Sequence, residues 1–168
     1  MSAEAARLLS VAVVDRRNIL VAGGTSSGKT TLANALLAEM AHLDERVILI
    51  EDTRELQSPA RDTVALRTRP SSSDKNTAVT IGHPGGIATV HANSAASALY
   101  RIEQLIQESV VIVPRHLVAE AINIIVFIAG RGTARRIETI ACVAGLDPDG
   151  GYAVVDLFPD PNHDFEGD

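Results

Sequence analysis

The order of segments predicts an α/β domain: a mostly parallel sheet flanked by helices, closed by a C-terminal antiparallel strand pair. Three observations carry this. Apolar stretches of strand length lie within 18–22, 46–51 and 124–128, the mark of strands buried on both faces. Stretches with apolar residues at helical spacing separate them. Two further strand-like runs, 137–142 and 152–157, face each other across the turn-rich 147–151.

Residues 3–14 read as a helix with Leu8, Val11 and Ala12 on one face. The run 18–22 ends at a glycine and is followed by a helix over 29–42, striped by Ala33, Leu36, Leu37 and Met40. The segment 46–51 is a second buried strand and 63–68 a weaker third, while 70–76 is polar and Pro-started and reads as loop. Residues 87–91 form another strand. Asn93 or Ser94 then caps a helix whose inner side carries Leu99, Ile102, Leu105 and Ile106. Pro114 opens a short helix ahead of the strand 124–128. Residues 1–157 are read as one core, and the acidic stretch 158–168 as a disordered tail.

Composition narrows the function. The chain has 168 residues, 46% hydrophobic and 21% charged, which suits one domain with a sizeable core. A net charge of −6 and 3% aromatic residues argue against a general nucleic-acid surface. Arg131, Arg135 and Arg136 make a local cluster rather than a stripe, so direct nucleic-acid binding is at most modest. Cys142 stands alone, which excludes an internal disulfide and fits a reduced compartment. The longest apolar run, 121–129, is far short of the ~20 residues that span a bilayer.

The sharpest signal is Gly23-Gly-Thr-Ser-Ser-Gly-Lys-Thr30, a full G-x-x-x-x-G-K-[ST] pattern between a buried strand and an amphipathic helix. Backbone amides at such a turn converge on phosphate oxygens, and the helix start adds its positive end. Gly24, Thr25, Ser26, Ser27, Gly28, Lys29, Thr30 and Thr31 are the expected nucleotide-binding set. Lys29 would neutralise the outer phosphates of ATP, and the Thr30 hydroxyl would take a place on Mg²⁺. A Gly/Ser-rich turn of no special purpose is the bland alternative, and the complete, correctly flanked pattern weighs against it. The motif specifies a nucleoside triphosphate and no more.

Two other segments are less decisive alone. Glu51 and Asp52 stand at the C-terminal end of a buried strand, where open parallel sheets bind ligands. They serve as Mg²⁺ or water-polarising groups, or equally as a solvated strand end with Arg54 as salt-bridge partner. The segment 82–93 carries His83 and His91. A histidine near a terminal phosphate can sense it, though an isolated histidine is more often just a satisfied polar residue.

Taken together, the phosphate loop, the segment 50–56 and the segment 82–93 resemble the secretion and traffic ATPases of type II and type IV systems, whose "Asp box" and "His box" they match. The likeness runs from roughly Ala5 to Leu157 and lies nearest the conjugal-transfer branch. It implies a RecA-like fold and hexameric rings docked on the cytoplasmic face of an inner-membrane secretion or conjugation complex. By the same resemblance Lys29, Glu51 and His91 are the catalytic positions, with Thr30 and Glu51 on the metal side. Arg54, Arg131 and Arg135 are candidates for contacts within or between subunits.

The chain departs from that pattern in two places. Family members carry an N-terminal domain before the core, whereas here the core starts almost at Met1. Between the Asp and His boxes the family has a helix, an apolar strand and a glutamate that activates water, the Walker B element. Residues 57–81 hold no counterpart, so the core reads as incomplete between 80 and 82. Loss of an inner strand would leave exposed apolar faces and unpaired backbone groups. Two functional expectations follow: an ATP-hydrolysing motor subunit of a conjugative type IV secretion system, driving substrate transfer or pilus assembly, or a nucleotide-binding assembly module or fragment with feeble hydrolysis. A small-molecule kinase fits less well, because no arginine-rich lid follows the third strand.

Overall fold

The computed structural model describes residues 1–67, 84–108 and 111–159. Thr68, the 70–76 loop, the 80–82 junction, His83 and residues 160–168 of the expected 158–168 tail lie outside the described residues, while Phe158, expected in that tail, ends the last strand.

Helix α1 spans Ala3–Val14, capped by Ser2, whose Oγ accepts from the Ala5 amide. Its buried face is Ala5, Leu9, Ala12 and Val13, one position round from the expected stripe, and Val11 is 54% exposed. Small residues at 5 and 12 let the helix lie close on the sheet, and that packing decides the face. Strand β1, Ile19–Gly23, is buried along its whole length. Helix α2, Lys29–Met40, buries Leu32, Ala33, Leu36 and Leu37; its expected last turn is instead a short 3₁₀ turn over Ala41–Leu43.

The main sheet has the order β4-β1-β5-β6-β7. Strand β4 is Ile87–His91 and β5 is Ile124–Ala129, both parallel to β1. Strands β6, Arg136–Leu146, and β7, Tyr152–Phe158, add the antiparallel pair. Helices α3, Ala95–Gln107, and α4, Arg115–Ala121, carry the chain from β4 across β1 to β5. Ser94, rather than Asn93, caps α3 in a reciprocal arrangement with Ser97.

Side chains of the sheet alternate between two cores. Leu20, Ala22, Ile125, Phe127 and Ala141 meet Leu99, Ile102 and Val118 of α3 and α4. Ile19, Val21, Val126, Ile128 and Ile140 meet Leu9, Leu32 and Leu36 of α1 and α2. The result is a three-layer sandwich, with β1 between β4 and β5 in its middle layer. Asn18 ties the lower ends of three strands: its amide donates to Asn123 Oδ1 (2.9 Å), its Nδ2 to the Ala121 carbonyl (2.7 Å), and its Oδ1 accepts from Gly86 N (2.8 Å). Glu103 is 6% exposed and is held in the α3–α4 layer by Arg115 Nε at 2.7 Å.

Strands β2, Val47–Glu51, and β3, Thr63–Arg67, depart from expectation. They pair in parallel as a separate two-stranded sheet with no ladder to the other five strands. Only Val47 and Leu49 of β2 are buried, against Leu37 of α2. The opposite face presents the ladder partners Ile48–Val64 and Ile50–Leu66, exposed by 56, 38, 41 and 51% respectively. A strand expected to be buried on both faces is therefore covered on one, because no described element packs on the other.

Candidate functional site

The strand order reverses around β1, since its two parallel neighbours lie on opposite sides and are reached by different crossovers. In open parallel sheets the crevice beyond the strand ends at such a point is where ligands bind. The phosphate loop leaves β1 there. Gly28, the residue before α2, has φ of +100°, a conformation side chains resist, and this turns the loop into the helix start.

Inside the loop Ser27 is 3% exposed and its Oγ has no hydrogen-bond partner. Lys29 Nζ donates to the carbonyls of Gly23 (3.0 Å) and Gly24 (2.7 Å), folding its ammonium over the cradle. Partial burial lowers the Lys29 pKa from its ordinary 10.5. An orphaned buried hydroxyl, a partly buried ammonium and the free amides of a helix start together fit a phosphate chain. A cavity of about 250 Å³ adjoins the loop, lined by Gly24, Thr25 and Ser27, by Ala92 and Asn93 after β4, and by Phe127 to Arg131 at the end of β5.

The structure places the other predicted residues as follows. Thr25, Ser26 and Thr31 are exposed at the loop and the helix start. His91 is the ladder partner of Gly23, so it stands at the same strand edge as the cradle, with its side chain exposed. Glu51 ends β2 and turns inward on its own segment: its Oε2 accepts from Glu55 N (2.8 Å) and its Oε1 from Leu56 N (3.0 Å). That turn delivers a residue the motif reading did not single out. Thr30 Oγ1 donates to Glu55 Oε2 at 3.1 Å, making Glu55 the carboxylate that meets the helix start.

Asn34 secures the arrangement from α2, donating to the Glu55 carbonyl (3.2 Å) and accepting from Gln57 N (2.8 Å). The signal for Glu55 was its place four residues after Glu51, where a strand-end turn brings a second carboxylate back. Among the described residues no cluster of three His, Cys, Asp or Glu could hold a metal alone. The Thr30–Glu55 pair supplies hard oxygen donors of the kind Mg²⁺ takes when phosphates complete its shell.

Arginines approach from the β5–β6 connection. Arg131 lines the cavity. Arg135 lies over the loop, its Cδ 3.5 Å and Nη1 3.9 Å from where a Cβ on Gly28 would stand. Arg54 is exposed and is not brought to the cradle by any contact among the described residues.

Comparison with known proteins places the sequence and the fold beside secretion ATPases. The family model "Type II/IV secretion system protein" matches residues 1–77. The conjugal transfer protein TrbB of Rhizobium radiobacter is 36% identical over 174 residues, covering 86% of this chain and 54% of that protein. The type IV secretion system protein VirB11 of Bartonella henselae is 39% identical over 134 residues, 60% of this chain and 37% of its own. The crystal structure of the VirB11 ATPase from the Brucella suis type IV secretion system, in complex with sulphate, superposes with a TM-score of 0.71 at 27% identity, covering 81% of this chain and 51% of that one. The chain thus spans about half the length of the relatives it matches. The TrbB alignment is also longer than the matched part of this chain: 174 positions against 86% of 168, about 144. About thirty residues of that relative therefore have no counterpart here.

Proposed function

The chain belongs to the type II/IV secretion ATPase family, close to TrbB, and we propose that it binds and hydrolyses ATP as the core of a motor subunit in a conjugative type IV secretion system. The observation that carries the reading is the cradle: Ser27 Oγ unpartnered, Lys29 folded over it, and the amides of α2 free to receive phosphate oxygens.

In this mechanism Lys29 exchanges its two loop carbonyls for the outer phosphate oxygens, gaining charge-assisted hydrogen bonds. Thr30 and Glu55 would hold a cation here, with Glu51 fixing the turn that presents Glu55. A Mg²⁺ ion held there would supply screening of the charge on the phosphates. His91, next to Gly23, stands where the presence of a terminal phosphate can be felt and passed to β4. As in the family, the assembly we propose is a homo-hexameric ring on the cytoplasmic face of an inner-membrane secretion complex, driving substrate transfer or pilus assembly. We propose peripheral attachment to that complex; no helix among the described residues is long and apolar enough to cross a membrane.

A second reading is supported by two observations: the separate β2–β3 sheet with its uncovered apolar face, and the thirty-residue excess of the relative. Both suit a chain short of the sequence block the family carries between its Asp and His boxes, and with it the glutamate that activates water. Such a chain binds nucleotide with turnover reduced by about 10²–10⁴-fold. Steady-state phosphate release, run beside the Lys29→Ala variant, separates the readings. Release that Lys29→Ala abolishes supports the motor; an ATP-dependent rise in Tm without release supports the binding module. Equal release from both proteins sinks the assignment of this site.

A further inference from the structure

We propose that Arg135 is a phosphate ligand of this cradle supplied in cis, so that the loop from Gly130 to Arg135 forms the second wall of the triphosphate site. The proposal rests on the nucleotide reading above and adds to it a binding residue outside the glycine-rich motif.

The first observation is placement. The guanidinium of Arg135 lies against Gly28, the residue from which α2 starts, at 3.9 Å from the position of a Cβ there. Gly28 carries no side chain, so nothing on it stands between Arg135 and the loop. The second is charge. A helix start carries a positive partial charge, and Lys29 follows immediately. Bringing a guanidinium to the same spot is unfavourable unless an anion sits among them. Among the described residues Arg135 has no hydrogen bond or ion pair. The carboxylate bonded at this helix end, Glu55, is committed to Thr30 Oγ1. Neighbouring Arg136, by contrast, is paired with Glu138 at 3.0 Å. The third is the buried, unpartnered Ser27 hydroxyl in the same loop, which marks a missing acceptor or donor at this place.

The connection is built to hold that position. Gly130 has φ of +81°, and a Cβ on it would run into the Ala134 carbonyl oxygen. The Ala134 amide closes the turn on the Arg131 carbonyl at 3.1 Å. A register shift between Phe127 and Ile128 precedes it, as often where a strand end is re-aimed at a site. A compact turn leaving the strand next to β1 thus returns a cation to the phosphate loop. A polyphosphate is the anion this geometry lacks: it satisfies Ser27, Lys29, the helix amides and Arg135 together.

The test is calorimetric titration of the full chain with ATP, ADP and inorganic tripolyphosphate, comparing parent, Arg135→Gln, Arg135→Lys, Arg136→Gln and Lys29→Ala. Arg135→Gln should weaken ATP and tripolyphosphate by about tenfold or more, as loss of a charge-assisted contact does. Its Tm without ligand should equal or exceed the parent's, because like-charge crowding is relieved. Arg135→Lys should recover part of the affinity, and Arg136→Gln should match the parent. Parental affinity in Arg135→Gln, with binding lost in Lys29→Ala, overturns the proposal and leaves the cradle standing. A lowered ligand-free Tm in Arg135→Gln, with no recovery in Arg135→Lys, also overturns it, by making the residue structural. Parental binding in Lys29→Ala, or none in the parent, sinks the nucleotide reading itself.

Discussion

Thr30 and Glu55 are joined by a 3.1 Å hydrogen bond across 25 residues, so the first turn of α2 is fastened to the strand-end turn after β2. The bond makes one site of two segments from different sheets. It also divides the labour of two carboxylates: Glu51 shapes the turn through backbone amides, and Glu55 faces the helix start.

Glu55 should therefore govern the metal dependence of nucleotide binding. Replacing Glu55 by Gln is expected to shrink the gain in ATP affinity on adding Mg²⁺ by about 10–100-fold, with affinity in chelator nearly unchanged. Paired titrations with Mg²⁺ and with EDTA read this directly; an undiminished Mg²⁺ gain assigns the metal side to another residue.

Lys29 sets a pH dependence whose sign is fixed. Burial lowers its folded-state pKa below the unfolded 10.5, so between those values the unfolded chain binds more protons and stability without ligand rises with pH. Affinity for ATP moves the opposite way, falling as pH rises through the lowered pKa because the neutral amine no longer pairs with phosphate. Titrations from neutral to alkaline pH should show the decline beginning below 10.5, with net proton uptake on binding in that range. A Lys29→Met variant should show neither.

Gly130 carries the turn that positions Arg131 and Arg135. Gly130→Ala places a Cβ against the Ala134 carbonyl in a left-handed backbone conformation, at a cost of about 1–3 kcal/mol. Urea denaturation measures the loss. Gly132→Ala, where a Cβ meets nothing within 4 Å although φ is +58°, should cost less.

The uncovered face of β2–β3 makes a different kind of prediction. Ile48→Thr with Leu66→Thr should change stability by no more than about 0.5 kcal/mol each, as at ordinary exposed sites. The same pair should lower binding of a hydrophobic dye and the tendency to aggregate, since contiguous apolar surface drives both. By contrast Leu99→Ala, at 0% exposure, should cost about 2–5 kcal/mol. A large loss from the Ile48/Leu66 pair would mean that this face is already covered.

Much of the arrangement is legible from local pattern. Continuous apolar runs mark β1 and β5 because both faces of those strands are buried. Gly28-Lys-Thr30 marks the cradle because a strand-to-helix turn around phosphate needs those residue types at that spacing. The face of α1 was harder to read: Leu8–Val11 and Leu9–Val13 are equally good stripes, and only the surface opposite chooses. Glu51 and Glu55 pose the same difficulty, since either carboxylate could face Thr30 until the turn between them has folded.

What the sequence determined by itself is the layered α/β design, the strand-to-helix loop with its phosphate-binding pattern and the resemblance to the secretion ATPases, because each is written in short-range spacing. Tertiary structure alone decided that Glu55 meets Thr30, that Arg135 returns to Gly28 from more than a hundred residues away, and that β2 and β3 stand apart from the main sheet. Those outcomes depend on which distant surfaces meet, and the free energy of such encounters belongs to pairs of segments rather than to either one.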